Sequence, residues 1–419
     1  MDFIVGQRIA SGKRPRVWLA VSLLVNLGLL GYFKYANFFI DSWITAWAAA
    51  GIKMNASTLQ IILPVGISFY TFQTLSYSID IYRRKLEPTK DLIAFAAFVS
   101  FFPQLVAGPI ERASKLLPQF ARARRFDAMA AIEGLMLALW GLAKKVVIAD
   151  SCAPFTDMVF AHPGAVSWEA LAIALPLFGL QIYGDFSGYS DMAIGIARMF
   201  GIRLSTNFRT PYFSRSVAEF WQRWHISLSS WFRDYLYIPL GGSRHKPTRV
   251  FVNILIIFAV SGLWHGANWT FVIWGITHGV LVGLPRWIRG GKPEPQRSWW
   301  AQGLGIASTF GWVSLTWILF RSPSLGHVKI YTLRLFGLAN GRLPEGWEWP
   351  LALGFGLLLI EWALIDGGLA SRWARAGAEA TGRRRWASWA LVWAAGQILL
   401  LLTFSHLQPL ANPFIYFQF

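Results

Sequence analysis

The stretch SGLWHGANW, residues 261–269, places a histidine between two glycines in the middle of a long apolar part of the chain. The apolar run FVNILIIFAV (251–260) precedes it, and FVIWGITHGVLVGL (271–284) follows it. This pattern predicts a hydrophobic helical hairpin with His265 at its turn. The first arm has about 14 residues, which an α-helix covers in about 21 Å. We therefore expect this imidazole to lie deep in a lipid bilayer.

The composition is typical of a membrane protein. Of the 419 residues, 55% are hydrophobic and 14% are charged, whereas about a quarter of a soluble domain is charged. A run of about 20 apolar residues can cross a bilayer. Besides the hairpin, such runs lie at 17–39, 59–79, 130–149, 168–184, 301–320, 351–365 and 386–404. We expect a single integral membrane domain over residues 1–419, with an all-α, multi-pass fold.

The formal net charge of +18 has two possible explanations. In a soluble protein it would indicate a nucleic-acid partner, but in a membrane protein an excess of Lys and Arg marks cytoplasmic loops. The basic residues lie between the apolar runs, so we expect lipid and not nucleic acid as the partner. The single cysteine, Cys152, excludes an intrachain disulfide and a cysteine zinc site. There is no His-Glu-x-x-His motif, so we expect no metal site.

Loop charges predict a topology. The basic segments expected inside are 7–16, 83–85, 241–249 and 286–297. The segments 151–167 and 405–419 contain no Lys or Arg and are expected outside as loops. For segment 321–350 the two criteria disagree. Counting helices places it outside, whereas its four basic residues predict a position inside. The run 92–110 has two basic flanks and is interrupted by proline and glycine, so we expect it to be re-entrant, and the hairpin likewise.

A second unusual segment is EFWQRWHISLSSWFRDYLYIPLGG, residues 219–242. It is too polar to cross a membrane and too aromatic for an ordinary loop. It could be an amphipathic helix lying on the cytoplasmic surface, or it could fold inward and wall a cavity below His265. For His265 itself, a structural role in a helix contact competes with a functional role, which is the default for an ionisable group at membrane depth.

Several of these segments resemble those of the membrane-bound O-acyltransferases. The resemblance is carried by RWHISLSSWFRDYLYIPLGGSR (223–244), SGLWHGANWTFVIWGITHG (261–279), LPVGISFYTFQTLSYSIDIYR (63–83) and FFPQLVAGPIER (101–112). More closely, the chain is similar to the bacterial branch that contains alginate and peptidoglycan O-acetylation proteins and the D-alanyl transfer protein of teichoic acid synthesis. QIYGDFSGYSDMAIGIARMFGI (181–202) and PFIYFQF (413–419) resemble the alginate type.

The resemblance implies a ring of about 9 to 11 transmembrane and re-entrant helices around a central tunnel. It also implies that His265 is the essential catalytic histidine and that His225 is a second one. Proteins of this branch usually begin with hydrophobic segments upstream of the helix at 17–39. We therefore expect this chain to lack N-terminal helices that are usual in the family.

The expected chemistry is the attack of a hydroxyl group on an acyl thioester. Histidine can act as the general base, while Asn268 or a backbone N–H could stabilise the oxyanion. Acetyl-CoA is the expected donor, with its phosphates at the basic cytoplasmic rim, and no bound cofactor is expected. The residues expected to bind substrate or to line the tunnel are Asn268, Trp264, Ser261, Trp224, Ser229, Arg233 and Asp234.

The resemblance implies O-acetylation of an exopolysaccharide such as alginate, across the bacterial inner membrane. An extracytoplasmic SGNH-type acetyltransferase or esterase and a polysaccharide synthesis complex are the implied partners. The alternatives are D-alanyl transfer, peptidoglycan O-acyl transfer, a non-enzymatic transporter and a scaffold protein. The cluster GDFSGYSD (184–191) could line the tunnel at a break in the apolar run or form a short loop at the membrane edge, and His278 is expected to be structural.

Overall fold

The computed structural model describes residues 1–54, 59, 61–62, 64–105, 107–292, 298–364 and 383–406. These residues form helices joined by turns and loops. Among them, one isolated β-bridge joins Val166 to Arg342. The expected all-α fold is therefore confirmed.

In the first half of the chain, the α-helices are α1 (Asp2–Ala10), α2 (Pro15–Leu30), α3 (Ala36–Ala49), α4 (Ile67–Tyr82), α5 (Leu92–Val99), α6 (Ala113–Phe120), α7 (Ala128–Ala143), α8 (Asp150–Ala161) and α9 (Trp168–Met199). The second half contains α10 (Val217–Arg223), α11 (Ile226–Phe232), α12 (Pro247–His265), α13 (Trp269–Ile288), α14 (Trp299–Arg321), α15 (Leu325–Phe336), α16 (Glu348–Leu364) and α17 (Arg383–His406). Three π-helical segments, Gly31–Tyr35, Lys144–Ala149 and Arg233–Tyr237, continue α2, α7 and α11.

Five helices of the described part are long and apolar enough to cross a membrane. They are the continuous helix Pro15–Ala49 together with α9, α12, α13 and α14. The predicted multi-pass membrane character is therefore confirmed. The predicted runs near 351–365 and 386–404 correspond to α16 and α17, although residue 365 lies outside the described residues. The count of about 9 to 11 transmembrane and re-entrant helices stays a prediction.

The short loop that was one alternative for 184–191 is wrong, because the 32-residue helix α9 runs through this segment. The other alternative, that the segment lines a tunnel, stays a prediction. The glycines of this region serve helix packing instead. A Cβ atom on Gly188 would lie 2.6 Å from the carbonyl oxygen of Gly141, and one on Gly195 would lie 2.3 Å from that of Gly134. Glycine at these positions lets the backbones of α7 and α9 approach closely, as small residues do at helix interfaces in membranes.

The predicted loop 151–167 is also partly wrong. The π-helical segment after α7 leads directly into α8, so that helix extends to Ala161 and only the last few residues form a turn. Segment 321–350 likewise contains a helix, α15. Two of its basic residues have partners inside the protein: Arg321 pairs with Asp157 at 2.9 Å, and Arg334 donates to the carbonyl oxygen of Val166 at 2.8 Å. The side of the membrane on which this segment lies stays a prediction.

The central hairpin is longer than the sequence predicts. Helices α12 and α13 have 19 and 20 residues, and a helix of 19 residues is about 28 Å long. That length is comparable to the hydrocarbon core of a bilayer, about 30 Å thick, so a re-entrant hairpin is not supported. The run 92–110 differs, since its only described helix, α5, has eight residues and is too short to cross.

Candidate active site

His265 is the last residue of α12, and its side chain is buried in aromatic surroundings. The imidazole ring packs edge-on against Trp274, with the ring centroids 5.2 Å apart, and against Phe320 at 5.5 Å. Gly266 follows in an extended conformation, and a Cβ atom there would lie 2.2 Å from the ring of Phe271. Glycine is therefore required next to His265 for the two arms to close around the imidazole.

His225 is fully buried between α10 and α11 and adopts a left-handed backbone conformation, with φ 44° and ψ 53°. A non-glycine residue in this region is uncommon, and such residues cluster at functional sites. Asn207 supplies the polar contact, since its Oδ1 atom lies 3.1 Å from Nδ1 of the imidazole. Burial lowers the pKa of His225 to about 3, so the ring is neutral at physiological pH.

The tautomer of His225 follows from its surroundings. Asn207 Oδ1 accepts hydrogen bonds from the backbone N–H of Ser227 at 3.3 Å and from the hydroxyl of Ser227 at 2.8 Å. Because this oxygen is an acceptor, Nδ1 of His225 carries the hydrogen and Nε2 carries the lone pair. Nε2 has no hydrogen-bond partner among the described residues. His225 thus presents an unprotonated nitrogen with a lone pair that no described residue engages.

Trp264 connects the two histidines. Its ring centroid lies 5.0 Å from that of His265 and 6.1 Å from that of His225. On its other side it stacks on Phe72 at 5.6 Å. Within the described part of the chain, its indole N–H has no acceptor. The structure therefore brings together three of the predicted site residues, Trp264 and the two histidines.

A cavity of about 410 Å³ lies between segment 219–242 and the hairpin. Three predicted residues line it, namely Ser229, Arg233 and Ser261, and Arg286 joins them at the end of α13. Ser261 precedes His265 by four residues on α12, so both residues lie on the same face of the helix. Segment 219–242 therefore folds inward and walls a cavity against the hairpin, as the second of the two interpretations holds, although His265 is not among the lining residues.

The remaining predicted site residues lie elsewhere. Trp224 is buried in an aromatic cluster, with its ring 5.7 Å from that of Trp317. Asp234 forms ion pairs with Arg112 at 2.6 Å and Arg233 at 2.8 Å. Asn268 caps α13, because its Oδ1 atom accepts from the N–H of Thr270 at 3.0 Å, and its amide donates to the carbonyl oxygen of Pro323 at 2.8 Å. Roles in binding or catalysis for these three residues stay predictions.

His278 has the contacts of a structural residue. Its Nδ1 atom accepts from the indole N–H of Trp221 at 3.2 Å, and its Nε2 atom lies 3.0 Å from the hydroxyl of Thr316. That hydroxyl donates to the carbonyl oxygen of Val313 at 2.7 Å and therefore accepts from His278. Both ring nitrogens are thus engaged, which fits the expected structural role.

Sequence reasoning missed Lys34, whose ammonium group lies 2.6 Å from the carbonyl oxygen of Trp264. It also missed Trp274, which packs against the imidazole of His265, and Arg286, which lines the cavity. The signal for Lys34 was visible, because a lysine inside the apolar run 17–39 is an ionisable group at membrane depth. No pattern in the sequence indicated that it would meet a residue more than 200 positions away.

The described residues form an all-α membrane fold that contains two buried histidines, His225 and His265. Comparison with known proteins shows which class of protein this is. A sequence profile of the membrane-bound O-acyltransferase family matches residues 86–291. The probable alginate O-acetylase AlgI of Pseudomonas putida is 41% identical over 349 residues, which are 82% of this chain and 70% of that protein. The chain therefore belongs to the membrane-bound O-acyltransferase family.

Two further relatives carry related names. The probable alginate O-acetylase AlgI of Azotobacter vinelandii is 45% identical over 330 residues, or 77% of this chain and 64% of that protein. The peptidoglycan O-acetyltransferase of Helicobacter pylori is 38% identical over 336 residues, or 74% of this chain and 63% of that protein. The chain thus spans about two thirds of the length of the curated relatives that it matches.

Proposed function

We propose that the protein is an O-acyltransferase that moves an acetyl group from cytoplasmic acetyl-CoA across the bacterial inner membrane for O-acetylation of an exopolysaccharide such as alginate. The observation that carries the proposal is the cavity bounded by Arg233, Arg286 and Ser261, which lies on the His265 face of α12. The names of the alginate-type relatives support the reaction class and the acceptor.

The donor would enter from the basic end of the hairpin. Arg233 has a side chain that is 62% exposed, and Arg286 lies in the last turn of α13. Guanidinium groups suit phosphate oxygens because they offer paired donors. Between them and Ser261, the cavity is lined mostly by apolar side chains, which suits the narrow pantetheine arm of the donor. A volume of about 410 Å³ lies within the range of small-molecule sites.

His265 would act as the general base in the transfer step. The imidazole takes the proton of the attacking hydroxyl as its oxygen bonds to the thioester carbonyl carbon. The carbonyl oxygen becomes an oxyanion, for which the indole N–H groups of Trp264 and Trp274 are candidate donors, because neither has an acceptor among the described residues. The carbon–sulfur bond then breaks, and the leaving thiolate takes up the proton. The unprotonated Nε2 atom of His225 offers a second hydrogen-bond acceptor for the incoming hydroxyl.

The test is the O-acetyl content of the exopolysaccharide in a deletion strain complemented with wild type, His265→Ala or His225→Ala. Removal of a general base costs about 10²- to 10⁴-fold in rate, so His265→Ala should give no measurable acetyl ester. His225→Ala should lower the content. The exposed His162 is a matched control, and His162→Ala should behave as wild type. Immunoblots of the membrane fraction must show equal amounts of all four proteins. Normal acetylation by His265→Ala would refute the assignment of the base.

A second candidate function is O-acetylation of peptidoglycan, which the Helicobacter pylori relative favours by its name. Mass spectrometry of base-released groups from purified exopolysaccharide and purified peptidoglycan separates the two acceptors. The same analysis detects D-alanine in place of acetate if D-alanyl transfer is the reaction. Radiolabelled acetyl-CoA that enters no ester in either polymer would favour a transporter.

We also propose that an extracytoplasmic SGNH-type acetyltransferase or esterase receives the acetyl group and that a polysaccharide synthesis complex supplies the acceptor. Affinity purification of the tagged protein from detergent-solubilised membranes tests this proposal. The expected result is co-purification of an SGNH-type protein that is lost when the detergent is exchanged for a harsher one.

A further inference from the structure

Two consecutive residues of the N-terminal helix reach the end of the helix that bears His265. Lys34 Nζ donates to the carbonyl oxygen of Trp264 at 2.6 Å, and the hydroxyl of Tyr35 donates to that of Leu263 at 3.0 Å. Both donors belong to the π-helical segment Gly31–Tyr35 that follows α2. Single π-helical turns of this kind often occur at functional sites.

These contacts complete the hydrogen bonding at the end of α12. A helix leaves its last four carbonyl groups without intrahelical partners, and inside a membrane no water is available to satisfy them. The N–H of Gly266 reaches only the carbonyl oxygen of Gly262, at 3.4 Å. Gly266 is extended, with φ −161°, so α12 lacks the usual left-handed cap. The carbonyls of Leu263 and Trp264 are instead satisfied by Tyr35 and Lys34.

The ammonium group of Lys34 also ties this turn to a third helix. It donates to the hydroxyl of Ser68 on α4 at 3.3 Å, and it lies 5.7 Å from the centre of the Trp264 ring. The carbonyl oxygen of His265 is 3.5 Å away. A cation at this place is favourable, because the C-terminus of a helix carries partial negative charge. The same group therefore joins α2, α4 and the C-terminal end of α12.

We propose that Lys34 is a positioning residue for the transfer step: its ammonium group fixes the last turn of α12 and thereby the direction in which His265 and Trp264 point. This inference rests on the proposed function, in which His265 is the base. Lys34 does not line the donor cavity. Its removal should therefore affect the rate of transfer and not the binding of the donor.

The experiment compares wild type with Lys34→Met, Lys34→Arg and Lys53→Met in membrane vesicles that contain the acceptor. Methionine keeps the length of the chain but has no donor, whereas arginine keeps both charge and donors. The exposed Lys53 is the matched control for loss of one positive charge. We expect Lys34→Met to lower kcat about tenfold or more, as small misplacements of catalytic groups do, with KM for acetyl-CoA unchanged. Lys34→Arg should recover most of the rate, and Lys53→Met should match wild type.

A second measurement separates this inference from the proposed function. Hydrogen–deuterium exchange of the purified proteins should be faster over residues 262–268 in Lys34→Met only. If wild type transfers no acetyl group, the proposed function fails, while exchange still reports on Lys34. The inference would be overturned if kcat and the exchange rates of Lys34→Met were the same as those of wild type. It would also be overturned if exchange rose equally over the whole chain, because that result indicates a purely structural role for Lys34. If Lys34→Met does not reach the membrane, Tyr35→Phe tests the same turn by losing one hydroxyl.

Discussion

His225 combines a left-handed backbone conformation with an unprotonated ring nitrogen that has no partner among the described residues. Its φ of 44° lies in the left-handed region, which asparagine tolerates better than other non-glycine residues. The side-chain amide of asparagine can also donate to Asn207 as Nδ1 of the imidazole does. A change to asparagine should therefore preserve the backbone and remove the Nε2 lone pair.

We predict that His225→Asn separates folding from catalysis at this position. His225→Ala should lose about 1–3 kcal/mol of stability, because the buried Oδ1 atom of Asn207 loses one partner and the left-handed conformation becomes less favourable. His225→Asn should lose less, yet both variants should be deficient in acetyl transfer. Thermal unfolding in detergent and the O-acetyl content of the polymer are the two measurements. Equal activity of His225→Asn and wild type would show that Nε2 has no role.

At the scale of the secondary-structure element, the hairpin of α12 and α13 depends on facing glycines. A Cβ atom on Gly275 would lie 2.1 Å from the carbonyl oxygen of Phe258, and one on Gly262 would lie 2.2 Å from that of Phe271. These distances are below any that real Cβ atoms show, and the nearest atoms belong to the backbone. The two helices can therefore pack only if both positions are glycine.

We predict that Gly275→Ala forces the two arms apart and lowers both the unfolding temperature and the acetyl content. Gly311→Ala in α14 is the matched control, since a Cβ atom there meets nothing within 4 Å. In a helix interior, alanine is favoured over glycine by about 0.5–1 kcal/mol, so the control should be as stable as wild type or slightly more stable. If Gly275→Ala and Gly311→Ala had the same unfolding temperature, the close approach of the two helices would not matter for stability.

The elements also show what sequence patterns predict well. The apolar runs on either side of His265 gave the hairpin, and the mixture of aromatic and polar residues at 219–242 indicated a segment that does not cross. The glycines of 184–191 led to a wrong prediction of a loop. A glycine that interrupts a helix and a glycine that lets a second helix pack closely look the same in the local sequence. Lys34 illustrates the other limit, since a contact between residues 34 and 264 has no trace in local periodicity.

At the scale of the whole molecule, several buried or half-buried charges between α7 and α9 are arranged in pairs. Lys144 lies 2.6 Å from Asp191, and Lys145 lies 2.9 Å from Asp185 and 2.7 Å from Asp150. These pairs connect the π-helical segment after α7 to α8 and α9. An ion in a low-dielectric environment is costly unless it is paired. The acidic residues of 184–191 thus hold helices together, whereas Arg286 and Arg233, which also pairs with Asp234, are the cations that line the proposed donor cavity.

The orientation of the molecule decides which side supplies that donor, and a cysteine-labelling experiment tests it. Cys152 is fully buried, so wild type provides an unreactive background for an impermeant maleimide. Ser243 precedes α12 and His162 follows α8, and both are exposed. We predict that intact spheroplasts label His162→Cys at once and Ser243→Cys only after lysis, because basic segment 241–249 is expected inside. The opposite pattern would turn the Arg233 and Arg286 end of the cavity outward, where acetyl-CoA is absent, and would exclude the donor proposed here even if His265 proved essential.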